Sequence, residues 1–179
     1  MALPIDPQPS LNGPSLNLSP LRANDYDGLF AAASNPKTWE GHPATDRYKP
    51  EVFKPYFEYL LSTAETLVVR SHDKIIGCSR YYQAPDKAGQ VCIGFTFLSC
   101  DYWGGATNFE LKRLMLEHAF KTVDSVWLHI APGNIRSQKA AAKIGAVQID
   151  DAELLIGKAV SRNLVFEITR EVWMARVLA

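Results

Sequence analysis

Val91, Ile93, Phe95 and Phe97 recur at every second position along Val91–Leu98. That period predicts a β-strand with the four side chains on one face. The same alternation returns at Asn163–Arg170 through Leu164, Phe166 and Ile168. Apolar runs at Ser15–Arg22, Thr66–Ser71, Ile75–Tyr82 and Ser125–Ile130 predict further strands. Two of these make a hairpin around His72-Asp73-Lys74. Elsewhere the spacing is helical. Asn24 is the expected cap of a helix running through Ala31-Ala32-Ala33 and ending before Pro36. Pro50–Ser62 reads as a second helix with proline in its first turn. Asn35–Lys49 is broken by Pro and Gly and reads as a loop, and a short helix is expected at Glu171–Val177.

The segment Asn108–Val123 has the most informative helical pattern. Glu110, Arg113, Glu117 and Lys121 fall at steps of three and four, giving one narrow charged stripe. Leu111, Leu114, Met115, Leu116, Ala119 and Phe120 cover the rest, as a helix layered on a sheet requires. Just before it comes Ser99-Cys100-Asp101-Tyr102-Trp103-Gly104-Gly105-Ala106-Thr107. The first amides of a helix lack internal partners and carry partial positive charge. Small residues at Gly104, Gly105 and Ala106 would let an anion reach them; an ordinary strand-to-helix turn uses glycine in the same way. Lys112 stands in the first turn, where the helix dipole disfavours a cation. A phosphate would offset that cost, and the simpler expectation is a solvated or snorkelling lysine. A second helix start follows the Ser125–Ile130 strand: Asn134-Ile135-Arg136-Ser137, with Gly145 as its C-terminal stop.

Composition narrows the class. The chain has 179 residues, 47% hydrophobic and 21% charged, the profile of one ordinary globular unit. Residues 1–14 read as an irregular arm rich in Pro, Ser and Asn, and 15–179 as a single domain. Lysine plus arginine (19) balances aspartate plus glutamate (19), which argues against direct nucleic-acid binding. No apolar run is long enough to cross a membrane, and the N-terminus lacks the basic start of a signal peptide. Cys78, Cys92 and Cys100 cannot all pair and are expected reduced, in a cytoplasmic protein. His42, His72, His118 and His129 have no metal-ligand spacing, so no metal is expected. His118 reads as a hydrogen-bonded core residue, and His129 receives no role. Nucleotide-binding glycine loops are missing.

Together, Asp101-Tyr102-Trp103-Gly104-Gly105-Ala106 and Asn134-Ile135-Arg136-Ser137 resemble the paired motifs of the GNAT superfamily of N-acetyltransferases. The resemblance is closer to the subgroup that acetylates the N-terminal amines of ribosomal proteins, and spans about Leu16 to Arg170. Ile93-Gly94-Phe95-Thr96-Phe97-Leu98 and Tyr102-Trp103-Gly104 match that subgroup's words. The implied fold is α/β: one mixed, mostly antiparallel sheet of about seven strands with helices on both faces. The implied co-substrate is acetyl-CoA, held by Thr96, Phe97, Leu98, Trp103, Gly104, Gly105, Ala106, Thr107, Asn108, Asn134 and Ser137. Ser137, or a tyrosine elsewhere in the chain, is the implied group at the thioester sulfur. Trp39 and Glu40, in a loop of the kind that carries substrate contacts, are the expected acceptor contacts, with Glu40 or an ordered water as base.

The resemblance implies an amine acceptor, on a small molecule or a protein N-terminus, and the protein is expected as a monomer or homodimer. Two positions depart from the family pattern. Asp101 replaces the usual Gln or Arg of the loop, and Cys92 stands where a glutamate is common. The alternative is a catalytically inactive acyl-CoA-binding module on the same fold. A cysteine-dependent hydrolase is a third reading, although no cysteine sits at a helix start.

Overall fold

The structure is a computed structural model and describes residues 3–178. Its centre is an eight-stranded sheet in the order β1-β2-β3-β4-β5-β6-β8-β7. The strands are β1 (Leu11–Asn12), β2 (Leu16–Pro20), β3 (Thr66–Ser71), β4 (Lys74–Gln83), β5 (Val91–Leu98), β6 (Ser125–Ile130), β7 (Val147–Ile156) and β8 (Ala159–Thr169). Every neighbouring pair is antiparallel except β5 and β6. The helices are α1 (Tyr26–Ala33), α2 (Pro50–Ser62), α3 (Thr107–Ala119), α4 (Ile135–Lys143) and α5 (Arg170–Val177). The mixed sheet and its layers are those expected from the sequence, with one more strand.

Two cores lie on opposite faces of the sheet. Leu111, Met115, Ala141 and Trp173, from α3, α4 and α5, pack on Val91, Ile93, Val126 and Ile168. On the other face Leu29, Phe53, Phe57 and Leu60, from α1 and α2, pack on Val68, Cys78 and Phe97. The residues expected as an irregular arm contribute β1, and Ile5 joins the first core. The carboxylate of Glu110, on α3, accepts the amides of Ser15 and Leu16 and the Ser15 hydroxyl, tying the start of β2 to that helix. These donors hold Glu110 below its usual carboxylate pKa against a burial effect that acts to raise it.

Several elements differ from expectation for identifiable reasons. Asn24 does not cap α1. A 3₁₀ turn, Ala23–Asp25, precedes that helix, and the Asp25 carboxylate accepts the Arg22 amide at 2.8 Å. The α3 helix begins at Thr107 and ends at Ala119, and Val123 bonds back to Ala119 in a closing turn. β7 escapes sequence reading because it is an edge strand, with nine of its ten positions not fully buried. With no buried face, it has no reason to alternate.

The central strand carries the largest correction. Val91, Ile93, Phe95 and Phe97 do not share one face. Phe95 adopts φ 51, and the β4–β5 register shifts between Cys78 and Arg80. A bulge of this kind inserts a residue and reverses the alternation beyond it. Val91 and Ile93 therefore face the α3 side, and Phe97 faces the α1–α2 side.

Gly77 lies across from the end of β5, where a Cβ would overlap the Phe97 carbonyl oxygen. The obstacle is backbone held by the sheet, so it cannot swing aside. Gly77→Ala is expected to lower stability by about 3 kcal/mol, the upper end of overpacking costs. Urea denaturation of the variant against the parent measures this, and a change below about 0.5 kcal/mol would contradict the packing described.

Candidate functional site

The parallel contact between β5 and β6 is reduced to one registered pair, Cys92 with Trp127. At the closed end, the buried Gln90 amide donates to the Ser125 carbonyl at 3.2 Å and stitches the two strands. Past Cys92 and Trp127 they diverge into a fork. β5 stays bonded to β4 as far as Leu98, but its other edge has no strand partner there. Backbone amides and carbonyls in such a position are obligatory hydrogen-bonding groups awaiting a ligand or water.

The small-residue turn sits at the open end of the fork. β5 leads through the 3₁₀ turn Cys100–Tyr102 into Trp103 and the start of α3. Trp103 Nε1 donates to the Leu98 carbonyl at 3.0 Å, which holds the turn against the end of the strand. Gly104, Gly105 and Ala106 are exposed, and no side chain caps α3. Nothing lies within 4 Å of where a Cβ on Gly104 or Gly105 would stand. Gly104 has φ 79, a conformation that glycine adopts without strain. The turn before the uncapped start of α3 thus opens onto free space, a geometry that fits a diphosphate. Asp101 is exposed on the preceding 3₁₀ turn.

α4 closes the other side. Its N-cap Asn134 is buried, and its Oδ1 accepts the Ser137 amide at 3.2 Å. Ser137 itself is half-buried. Sequence reasoning passed over Arg136, one residue before it. Its guanidinium lies 3.7 Å from the centre of the Trp103 ring and joins α4 to the glycine turn. Burial lowers the Arg136 pKa somewhat, while Glu40 acts in the opposite sense. The cue in the sequence is an arginine inside a helix start that already has a side-chain cap.

The remaining expected residues fall in two places. Thr96, Phe97 and Leu98 lie on the length of β5 that has no strand partner on its β6 side, and Thr107 and Asn108 open α3. Trp39 is not a surface contact. It is 1% exposed, donates from Nε1 to the Ala33 carbonyl at 2.8 Å, and packs 5.0 Å from Phe97. Glu40 is exposed, on the Arg136 side.

Lys112 is neither solvated nor snorkelling. Its side chain points into the first core and donates to the Thr96 hydroxyl at 3.0 Å. The Thr96 hydroxyl in turn lies 2.7 Å from the Ser79 hydroxyl. Burial lowers its ammonium pKa to about 8.

A cleft of about 250 Å³ opens on the opposite face. Tyr59, Glu65, Arg80, Tyr82 and Phe95 line it together with the β7–β8 turn at Ile156 and Gly157. Each of the three Arg80 guanidinium nitrogens donates a hydrogen bond. The guanidinium bonds Glu65 Oε2 from Nη2 (2.6 Å) and Nε (3.1 Å), and the Tyr59 hydroxyl from Nη1 (2.9 Å). It also lies 4.8 Å from the Phe95 ring centre. The cleft therefore has aromatic walls around an internally neutralised ion pair. Neither Trp39 nor Glu40 is among the residues lining it.

The family described as Acetyltransferase (GNAT) domain matches residues 15–147. No curated protein matches the chain. Similar solved structures include a GCN5-related N-acetyltransferase from Brucella melitensis. It has TM-score 0.79 and 17% identity, covering 94% of this chain and 81% of that one. A probable GNAT acetyltransferase from Chromobacterium violaceum gives TM-score 0.80 and 20% identity, over 97% and 92%. Mycobacterium smegmatis RimJ in complex with CoA-disulfide gives TM-score 0.67 and 16% identity, over 91% and 88%.

The buried Lys112 makes stability depend on pH in a defined direction. Its folded pKa of about 8 lies below the ordinary 10.5. The cost of burying the charge is full below pH 8 and fades as pH rises toward 10.5, because the unfolded chain then holds the extra proton. The parent should gain about 3 kcal/mol relative to Lys112→Met between pH 8 and 10.5. Denaturation of both proteins across that range measures the difference; parallel stability curves would refute it.

Proposed function

The chain belongs to the acetyltransferase (GNAT) domain family, and from that premise we propose that it moves the acetyl group of acetyl-CoA to a primary amine. Transfer is direct, by amine attack on the thioester while both substrates are bound. The observation that carries the reading is the fork itself: an unpaired length of strand that ends in a glycine turn and an uncapped helix start.

Each part has a physical task. The amides of the turn at Gly104, Gly105 and Ala106 and the first amides of α3, at Thr107 and Asn108, suit the CoA diphosphate, aided by the helix dipole. The Arg136 guanidinium adds positive charge beside them and offsets Asp101. The free edge at Thr96, Phe97 and Leu98 can pair with the amide-bearing arm of CoA as a strand would. The same backbone donors suit the oxygen that gains charge as the thioester is attacked. Trp103 walls the turn, and Asn134 fixes the start of α4 where Ser137 can donate a proton to the departing thiolate. Much of the acceleration is positioning, since two bound reactants meet in one orientation.

The amine would enter from the aromatic cleft, on the opposite face from Lys112 and α3. Its class is a protein N-terminus or a small-molecule amine, and the reaction needs no metal. A cytoplasmic site of action fits the pool of acetyl-CoA that such a reaction draws on.

The test has two stages. Acetyl-CoA at about a hundredfold excess over its Kd should stabilise the protein by ~2.7 kcal/mol, or roughly 5–10 °C in Tm. Peptides with free N-terminal Ala or Ser, and small diamines, should then gain an acetyl mass with release of free thiol. No thermal response would refute the reading, and binding without transfer would favour a non-catalytic module. A second variant isolates the turn. Gly105→Val fills the open space over the α3 amides and should weaken CoA binding at least tenfold, with stability changed by less than about 0.5 kcal/mol. Gly104→Val should also destabilise, because its φ of 79 costs a branched residue about 1–3 kcal/mol. Undiminished CoA binding by folded Gly105→Val in calorimetry would show that the turn does not hold the diphosphate.

A further inference from the structure

Two side chains with no part in CoA binding meet at the apex of the fork. His129 lies on β6 two residues beyond Trp127, the β6 residue paired with β5. Tyr82 lies on β4, and its hydroxyl is 2.8 Å from His129 Nδ1. β5 runs between their strands. The Tyr82 ring crosses it at Gly94, where a Cβ would come within 2.8 Å of the ring. A glycine there lets the tyrosine reach the imidazole. Tyr82 also lines the aromatic cleft, so one side chain touches both the acceptor face and the fork.

Two other candidate proton acceptors beside Tyr82 are unsuitable. Cys92 neighbours Tyr82, and burial pushes its thiol pKa up, so it stays protonated. Glu65 is held by Arg80. His129 differs: burial keeps its imidazole below the ordinary 6.5, and thus neutral at pH 7. Its Nε2 is buried and, among the described residues, has no hydrogen-bond partner. An orphaned buried polar atom is costly, and the packing around it supplies no compensating bond.

We propose that Tyr82 and His129 form the proton relay of acetyl transfer, Tyr82 touching the amine and His129 holding the proton behind it. The proposal rests on the amine-acetylation reading above. The amine nitrogen bonds to the thioester carbonyl carbon. One N–H proton passes to the Tyr82 oxygen as the tyrosine's own proton passes to His129 Nδ1. The carbon–sulfur bond breaks, and its electron pair leaves on sulfur as a thiolate. The imidazolium returns its proton through Tyr82 to water, and the thiolate takes one from water through the Ser137 hydroxyl. Amine and acetyl thioester become amide and thiol, with no further reactant. The step requires Nδ1 to accept from Tyr82, which puts the resting imidazole proton on Nε2. Tyr82 is the catalytic residue and His129 a positioning residue acting through it.

The test is kcat against pH at saturating acetyl-CoA, with the peptides and diamines named above as acceptors. The groups around His129 on this face are Tyr82 and Arg80 of β4, Asp86 and Lys87 of the β4–β5 loop, Cys92 of β5 and Glu167 of β8. Of these, Asp86 acts to raise the His129 pKa, against the larger effect of burial. The parent's kcat should rise through a pKa below 6.5 and then level. Tyr82→Phe and His129→Gln should lower kcat about 100-fold or more, keep the CoA Kd within about twofold, and His129→Gln should lose the acidic limb. Folded variants with the parent's kcat and profile would overturn the relay and leave the acetyltransferase reading intact. A parent that binds acetyl-CoA but acetylates nothing would overturn both. If a variant fails to fold, nuclear magnetic resonance of His129 in the parent decides. An Nε2–H tautomer titrating below 6.5 supports the relay, and an Nδ1–H tautomer overturns it.

Discussion

The structure turns on one weak junction, the single Cys92–Trp127 pair between parallel strands. A fully paired β5–β6 ladder would satisfy both edges and leave nothing for a ligand to bond. Two features keep the ladder from forming. The bulge at Phe95 bends β5 away, since an inserted residue increases local twist. The Gln90–Ser125 bond closes only the other end. The strands are otherwise secure, because β4 holds β5 and β8 holds β6 throughout their lengths. A fork with rigid arms and an open mouth presents backbone groups without the flexibility of a loop.

The charges are distributed to match. The chain's net charge is zero, so an anionic substrate is not attracted by the molecule as a whole. Positive potential is instead local: the α3 amides, and Arg136 stacked on Trp103. On the far face the one buried guanidinium is cancelled by Glu65. Lys112 sits between these regions with only a hydroxyl for a partner among the described residues. Its lowered pKa records what burial without a carboxylate costs.

Much of this was legible in the sequence wherever a pattern had a physical cause. α2, β3, β5 and β6 fall where their apolar spacing put them, because each buries a face. The glycine turn and the Asn134 cap were readable because backbone chemistry there demands particular residues. The rest was hidden for equally definite reasons. Phe95 looks like one more alternating apolar residue, and nothing in the spacing reveals that its φ is positive. β7 lies at the sheet edge and has no apolar face to display. Trp39, in a loop rich in breaks, reads as exposed, although a tryptophan whose N–H finds a carbonyl is easily buried. Tyr82 and His129 are 47 positions apart, and only the sheet order β4-β5-β6 brings them together.

That last pairing separates two kinds of specificity in the fold. The fork side is built from backbone: strand edge, helix amides and a cap. Such groups persist under most side-chain substitutions, which suits a substrate shared across a family. The cleft side is built from side chains on β4, β5 and α2 and from the β7–β8 turn. Those positions carry little pattern, because no helix or strand requires a particular residue at them. On the acetyl-transfer reading proposed above, proton removal belongs to this second side, since the amine and not the thioester carries the proton. A chain with Cys92 at the apex of the fork therefore need not lack a proton acceptor. Both neighbouring strands point side chains at the same place, and either can supply the group that β5 does not.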